Sequence, residues 1–243
     1  MSIYFERQRK QLCAQHALNN LLQRPAFTRH QLDSFAADLY DQQQQNEPRS
    51  WPLNTSIAAS LSNPHKNPLG WGNYGIHVIE VALQSEGMEM QWIDGRKDAG
   101  YAAALAKLSE MRMEPPQPDA GQGELLVGLL INYSSTALVS SSLESIEAAR
   151  SSAEGNSGLI ASFRNNVRKG AVKALTVTGL ASGAHWFTIV KLHSDEGEAF
   201  YNLDSQLLEP ERIGNNEDVT TFLSSLKQYS DSLNVFAIVR TSQ

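Results

Sequence analysis

The sequence predicts an α+β domain with a mainly antiparallel sheet. Helical spacing of apolar residues dominates the first third of the chain, strand patterns follow, and one more helical pattern lies near the end. With 243 residues, of which 41% are hydrophobic and 19% charged, the chain can bury a sizeable core. We therefore expect a helical N-terminal part packed on the sheet.

Two helices are predicted first. From Cys13 to Leu22, apolar residues recur at three- and four-residue spacing, which is typical of a helix with one buried face. Thr28 and Gln31 then match a capping box, and a second periodic run follows it up to the glutamines at 42–45. We interpret these glutamines as the solvated end of the second helix.

The pattern of residues 46–92 predicts a connection, a helix and a strand. Residues 46–73 are rich in Pro, Asn, Ser and Gly, which favours a long surface connection. Asn73 can cap a third helix, and Gly87 can end it because glycine readily adopts the conformation that follows a helix. From Met88 to Trp92, apolar and polar residues alternate, which indicates a half-buried strand.

The middle of the chain contains a stretch of different character. Asp98 can open an alanine-rich helix that the prolines at 115–118 would end, and the apolar run 124–133 predicts a central strand. Residues 134–184 are first Ser- and Ala-rich and then basic and amphipathic. We expect residues 1–243 to form a single domain, with an insertion at about 134–184 that holds one or two helices.

The last part predicts a hairpin, a helix and a strand. Strand patterns over 185–192 and 199–205 flank a short polar loop that contains Gly197, as in a hairpin. Helical spacing recurs over 216–229, and the apolar run 235–239 predicts a buried closing strand.

Cys13 is the only cysteine of the chain, and it lies at the predicted start of the first helix. Unpaired amides and the positive end of the helix dipole favour a thiolate there, and the thiolate is the form that attacks carbonyl carbons. The alternative is a buried cysteine that acts as a small hydrophobic residue. One cysteine excludes a thiolate-rich zinc site, and the sequence predicts no metal and no cofactor.

A nucleophilic cysteine needs a base, and the predicted hairpin offers one. If the turn is centred on Asp195 and Glu196, Asp204 falls one diagonal step from His185 on the same face, about 7–8 Å apart at the backbone. An imidazole oriented by a carboxylate can take a thiol proton and return it to a leaving amine. The alternatives are an ordinary strand histidine and a carboxylate at the edge of a turn.

Two glutamines before the cysteine are candidate oxyanion donors. The side-chain amide of Gln8 or Gln11 could reach a tetrahedral oxyanion together with the Cys13 amide. Both could equally be solvent-facing polar residues. His16 is a rival base, but we disfavour it because a residue deeper in the helix points away from the end where the substrate carbonyl must lie.

Composition excludes several classes of partner. The net charge of −6 argues against a dedicated nucleic-acid binder, which needs a basic excess. Residues 1–10 lack the apolar core of a signal peptide, and no stretch approaches the roughly eighteen apolar residues of a spanning helix. We therefore expect no membrane span, a reducing cytoplasmic or nuclear compartment, and a monomer.

Four motifs resemble the Josephin family of cysteine deubiquitinases. They are LCAQHALNNLLQ at 12–23, GNYGIHVI at 72–79, HWFT at 185–188 and YNLDS at 201–205. The resemblance implies a papain-like α+β fold and hydrolysis of ubiquitin isopeptide bonds. It also implies roles for four residues: Cys13 as nucleophile, His185 as base, Asp204 as the orienting acid and Gln8 as oxyanion donor.

The chain departs from the family pattern at several places. An aspartate at position 204 is similar to the short Josephin-only members, whereas the ataxin type has an asparagine at this position. Glu86 replaces a tryptophan implicated in holding ubiquitin in the ataxin type, so only Ile76 of that patch is retained as a candidate ubiquitin contact. The insertion at 134–184 is atypical of the family, and we expect it to act as a lid or an arm that faces the substrate. We also expect no ubiquitin-interacting helices of the ataxin type after the last strand.

The sequence therefore predicts a cysteine deubiquitinase whose partner is ubiquitin or a polyubiquitin chain. One alternative is a binding module with an idle site that only holds ubiquitin. Another is a thiol peptidase that acts on a different modifier.

Overall fold

A computed structural model of the chain describes residues 3–46, 63–65, 74–94, 124–134, 185–195, 197–228, 230 and 232–241. The helix predicted from Asp98, most of the connection at 46–73 and nearly all of the insertion at 134–184 lie outside the described residues. In the part of the chain that is described, no helix is both long enough and apolar enough to cross a bilayer.

The described part contains the helices α1 (Cys13–Leu21), α2 (Arg29–Asn46), α3 (Ile76–Ser85) and α4 (Asn216–Gln228). The capping box predicted before α2 is confirmed, because Gln31 Oε1 accepts a hydrogen bond from the Thr28 amide at 2.9 Å. The predicted cap of α3 is wrong: the N-cap is Gly75, and Asn73 lies outside the described residues. Gly87 follows α3 with a φ of +70°, as expected of a residue that ends a helix.

Six strands form one sheet in the order β1-β6-β2-β3-β4-β5, and every neighbouring pair is antiparallel. Their bounds are β1 Met88–Ile93, β2 Glu124–Ser134, β3 His185–Ser194, β4 Gly197–Asn202, β5 Glu211–Gly214 and β6 Ser232–Thr241. The predicted mainly antiparallel sheet is confirmed. The sequence analysis missed β5, since its four residues are too few to show an alternating pattern.

The sheet separates two hydrophobic cores. Leu130 and Val190 face the core formed with α1, α2 and α3, whereas their neighbours Leu129 and Ile189 face the core formed with α4. This alternation follows from the two-residue period of a strand. Trp92 was predicted on the half-buried side of β1 but is 53% exposed, and β1 lies at the sheet edge, where only β6 pairs with it.

Helix α1 packs closely on the centre of the sheet, and Gly128 of β2 permits the approach. A Cβ atom at this position would lie 2.8 Å from Leu21 Cδ1 and 2.9 Å from the Ile189 carbonyl oxygen. Only glycine avoids both contacts without a shift of helix or strand. The contact involves Leu21, the last residue of α1, so the close packing holds the C-terminal end of this helix against β2 and β3.

Candidate active site

Cys13 is the first residue of α1, as the sequence predicted. The N-cap is Leu12, an apolar side chain that cannot accept hydrogen bonds from the first-turn amides. Cys13 is buried, with 3% of its surface exposed. Its sulfur therefore lies at the positive end of a helix in a largely water-free position, where electrostatic interactions are strong.

His185 and Asp204 come together through the hairpin register that the sequence predicted. Ile189 pairs with Asn202 and Ser194 with Gly197, which corresponds to a turn centred on Asp195 and Glu196. Two residues beyond the end of β4, Asp204 Oδ1 lies 2.8 Å from His185 Nε2. The predicted contact between imidazole and carboxylate is therefore present.

The Cys13 side chain lies close enough to the His185 ring to raise the pKa of that ring, through its charge and its hydrogen-bonding capacity. A carboxylate only accepts hydrogen bonds, so Nε2 of His185 holds a proton that it donates to Asp204. The other ring nitrogen, Nδ1, is then the one that can take the thiol proton. Cys13, His185 and Asp204 thus form a series of interacting side chains from the helix end to the loop after β4.

The pKa of His185 is raised from 6.5 to about 10. Burial is the largest single influence and acts to lower this pKa, because a low-dielectric site disfavours the charged ring. The charge and hydrogen bond of Asp204, together with the hydrogen bond and charge of Cys13, outweigh burial. The site therefore favours the charged imidazolium form of His185 beside the Cys13 side chain.

Two aromatic rings hold the imidazole in place. Tyr133 of β2 stands opposite His185, and the two ring centroids are 5.6 Å apart with the planes at 82°. Phe187 stacks on the same ring at 6.3 Å and 17°. Burial and then the charges of Asp204 and Cys13 raise the pKa of the Tyr133 hydroxyl, so it stays protonated. Sequence reasoning missed Tyr133, because the pairing of β2 with β3 joins strands that flank the insertion.

Gln206 is a second residue that sequence reasoning missed. Its side-chain Nε2 lies 3.2 Å from His185 Nδ1, and its backbone amide donates to Asp204 Oδ1 at 2.9 Å. The amide group of Gln206 thus bonds the same nitrogen that must accept the thiol proton. Its position two residues after Asp204 is the only sequence signal that could have indicated it.

Gln8 is fixed next to the loop that contains Asp204. Its backbone amide donates to the Ser205 carbonyl at 2.6 Å, and its Oε1 accepts from the Ser205 hydroxyl at 2.8 Å. These bonds orient the side-chain NH2, which donates one hydrogen to the Lys10 carbonyl at 3.2 Å. The second hydrogen is available for an oxyanion. Gln11, the other candidate, has a buried Oε1 without a hydrogen-bond partner among the described residues.

His16 is not available as a rival base. Its Nδ1 lies 2.6 Å from Glu6 Oε2, and its Nε2 accepts the Arg9 amide at 3.2 Å. Both ring nitrogens are therefore engaged, and the preference for His185 is supported.

Ile76 and Glu86 lie at the two ends of α3. Ile76 is the first residue of the helix, partly buried against the core shared with α1 and α2. Glu86, the C-cap, forms an ion pair with Arg24. The role of Ile76 as a ubiquitin contact stays a prediction. Among the described residues, no group of three His, Cys, Asp or Glu side chains is arranged to hold a metal ion.

The family model described as Josephin matches residues 8–239. The chain belongs to the Josephin family. The Josephin domain has a papain-like fold, in agreement with the helices and the antiparallel sheet described above. The match spans the cysteine of α1 and both His185 and Asp204, so all three side chains lie within the Josephin region.

Comparison with curated proteins gives the same family. The chain is 30% identical to mouse Josephin-2 over 224 residues, which cover 92% of this chain and 79% of that protein. It is 27% identical to a Josephin-like protein of Drosophila melanogaster over 95% of this chain and 72% of the relative. Human Ataxin-3 is 35% identical over 89 residues, which are 37% of this chain and 25% of Ataxin-3.

Proposed function

We propose that this Josephin protein is a cysteine deubiquitinase that hydrolyses ubiquitin isopeptide bonds through an acyl-enzyme. The proposal depends on one observation above all: Asp204 holds Nε2 of His185 at 2.8 Å, and the same ring interacts with the buried Cys13 side chain. Such an arrangement activates a thiol for attack on a carbonyl carbon. The Josephin family includes cysteine deubiquitinases, which supports ubiquitin as the substrate.

In the first half of the reaction, the Cys13 thiolate attacks the carbonyl carbon of the isopeptide bond. The carbonyl oxygen becomes an oxyanion, which the free hydrogen of the Gln8 amide and the Cys13 backbone amide stabilise. When the tetrahedral intermediate collapses, the C–N bond breaks and the His185 imidazolium gives its Nδ1 proton to the leaving lysine amine. The products are a thioester on Cys13 and a free lysine side chain.

In the second half, the now neutral His185 takes a proton from a water molecule at Nδ1. The resulting hydroxide attacks the thioester carbon, and the C–S bond breaks. The products are a ubiquitin C-terminal carboxylic acid, which releases its proton to solvent as it ionises, and the Cys13 thiolate beside the imidazolium, so the site returns to its starting state. Asp204 keeps the ring oriented and stabilises its charged form throughout.

The test combines turnover with capture of the thiol. The protein should cleave ubiquitin chains and react with a ubiquitin probe that has a C-terminal electrophile, and Cys13→Ala should lose both while it keeps the fold. Because the chain has one cysteine, any adduct reports Cys13 alone. A Cys13→Ala protein that still cleaves would refute the proposal. Probe capture without turnover would favour the idle binding module, and preferential capture by another modifier probe would favour a different peptidase.

We also propose that Ile76 contacts ubiquitin, since it is partly exposed at the start of α3. Ile76→Arg should raise the KM for a ubiquitin substrate while the rate of Cys13 alkylation by iodoacetamide stays at the wild-type value, because a small reagent needs no protein contact. An unchanged KM would remove Ile76 from the binding surface.

A further inference from the structure

His16 is a buried titratable residue that the mechanism above does not use. It lies one turn after Cys13 in α1 and is 5% exposed. Its Nδ1 bonds Glu6 at 2.6 Å, and its Nε2 bonds the Arg9 backbone amide at 3.2 Å. Both ring nitrogens of His16 thus form hydrogen bonds to the segment that precedes Cys13. A buried imidazole bonded in this way holds that segment in place.

The chemistry of its partners fixes the tautomer of His16. The Arg9 amide can only donate a hydrogen bond, so Nε2 of the ring must be the unprotonated nitrogen. Nδ1 then holds the proton and donates it to the Glu6 carboxylate. Glu6 is fixed in turn, since its carboxylate also accepts from Asn19 Nδ2 at 3.0 Å. His16 therefore acts as a neutral connector between two fixed points of the N-terminal segment.

Gln8 lies between those two points. On one side it is bonded to Ser205, through its backbone amide at 2.6 Å and its side chain at 2.8 Å. On the other side, the next residue is bonded to His16. The side-chain NH2 of Gln8 can meet an oxyanion only if the segment from Glu6 to Lys10 keeps its path, and His16 is the anchor that joins this path to α1.

We propose that His16 is a positioning residue that aligns the oxyanion donor Gln8 with Cys13, through the bonds of its ring to Glu6 and to the Arg9 amide. This inference rests on the proposed function and adds to it the residue that sets the oxyanion geometry. His16 touches neither the substrate nor the reacting atoms. It acts on turnover only through Gln8.

The experiment separates formation of the thiolate from stabilisation of the oxyanion. Alkylation of Cys13 by iodoacetamide requires the thiolate but no oxyanion, whereas hydrolysis of a fluorogenic ubiquitin amide requires both. The variants are His16→Phe, which removes both ring bonds, and His16→Gln, whose amide can still donate to Glu6 and accept from Arg9. Gln8→Ala and the double variant His16→Phe with Gln8→Ala complete the set.

We expect His16→Phe to lower kcat by about 10–100-fold, a part of the roughly 10²–10³-fold that loss of an oxyanion donor costs. KM and the alkylation rate should change by less than about twofold, and His16→Gln should recover most of the lost kcat. The double variant should match Gln8→Ala within about twofold, because a residue that acts through Gln8 has no effect once Gln8 is gone.

Three results would overturn the inference: a wild-type kcat in His16→Phe, losses that multiply in the double variant, or an alkylation rate that falls together with kcat. If His16→Phe does not fold, Glu6→Ala takes its place, since it removes the anchor of Nδ1 and leaves the packing of the ring. The same kcat loss with unchanged alkylation is then expected. A wild-type protein that neither hydrolyses the substrate nor captures the probe would refute the proposed function instead.

Discussion

Replacement of Asp204 by asparagine separates the two things that this residue does for His185. An asparagine oxygen can still accept the hydrogen bond from Nε2, so the ring keeps its orientation. The negative charge is lost, however, and that charge is the first of the influences that raise the pKa of His185. Asp204→Ala removes both the charge and the hydrogen bond, and it serves as the comparison.

The expected change in the pKa of His185 follows from the opposing effects of burial and of the neighbouring side chains on its ring. The pKa of His185 is raised from 6.5 to about 10 although burial acts to lower it. Without the Asp204 charge, burial is opposed mainly by Cys13, and we expect the pKa to fall by about one unit or more, each unit being tenfold in the ratio of imidazolium to imidazole. Because the pKa in the folded protein is above the ordinary value, the imidazolium persists below about pH 10 and is lost as the pH rises through that value.

The assay is kcat/KM for a fluorogenic ubiquitin amide from about pH 6 to about pH 11. The wild-type protein should lose activity near pH 10, and Asp204→Asn should lose it at least about one pH unit lower while near-wild-type activity remains at neutral pH. Asp204→Ala should be reduced by about 10²-fold or more at every pH, because the ring also loses its orientation.

Stability provides a second measurement of the same shift. Because the pKa of His185 is raised in the folded protein, the interactions of its imidazolium stabilise the fold. This stabilisation is complete below about pH 6.5 and is lost as the pH rises through about 10. Urea denaturation should therefore show a larger deficit for Asp204→Asn at neutral pH than above pH 10. An alkaline limit that stays near pH 10 in Asp204→Asn would show that the Asp204 charge does not stabilise the imidazolium.

Three further predictions test other contacts. Gln206→Leu should move alkylation of the single thiol to lower pH. The side-chain amide of Gln206 bonds Nδ1 of His185 only when that nitrogen is unprotonated, and so it favours the neutral ring. The pH midpoint of the alkylation rate measures the shift. Asn20→Ala should lower the free energy of unfolding in urea by about 3 kcal/mol, since it leaves buried backbone groups unpartnered. Gly128→Ala should lower it by about 1–3 kcal/mol, because its Cβ would lie 2.9 Å from a carbonyl oxygen of β3.

Each of these predictions has its own check. Gln206→Glu should shift the alkylation midpoint at least as far as Gln206→Leu, since a carboxylate stabilises the imidazolium, and no shift in either variant would contradict the assignment. Gly75→Ala is the matched control for Gly128, because its Cβ would lie 3.8 Å from the nearest atoms; its cost should be only that of replacing glycine by alanine at an N-cap, about 0.5–1 kcal/mol. An Asn20→Ala protein as stable as the wild type would show that its bonds contribute nothing.

Local patterns were enough to predict much of the fold. Helical periodicity placed the cysteine at the start of α1, and the short polar loop after β3 fixed the hairpin register that brings His185 to Asp204. Both depend on residues close together in the chain. The exposed Trp92 was predicted wrongly because alternation shows which side chains share a face, and not whether another element covers that face.

What the sequence by itself determined is which side chains are the candidates for nucleophile, base and orienting acid, because residue type and local spacing limit which side chains can do this chemistry. Only the tertiary structure decided how they meet. The packing of α1 against Gly128 holds the helix that begins at Cys13 close to the sheet, and the pairing of β2 with β3 brings Tyr133 onto the imidazole. The role of His16 was also decided there, since its bonds to Glu6 and Arg9 show that a residue considered as a rival base is a structural anchor. Contacts between distant parts of a chain depend on packing and charge in three dimensions, which no local pattern contains.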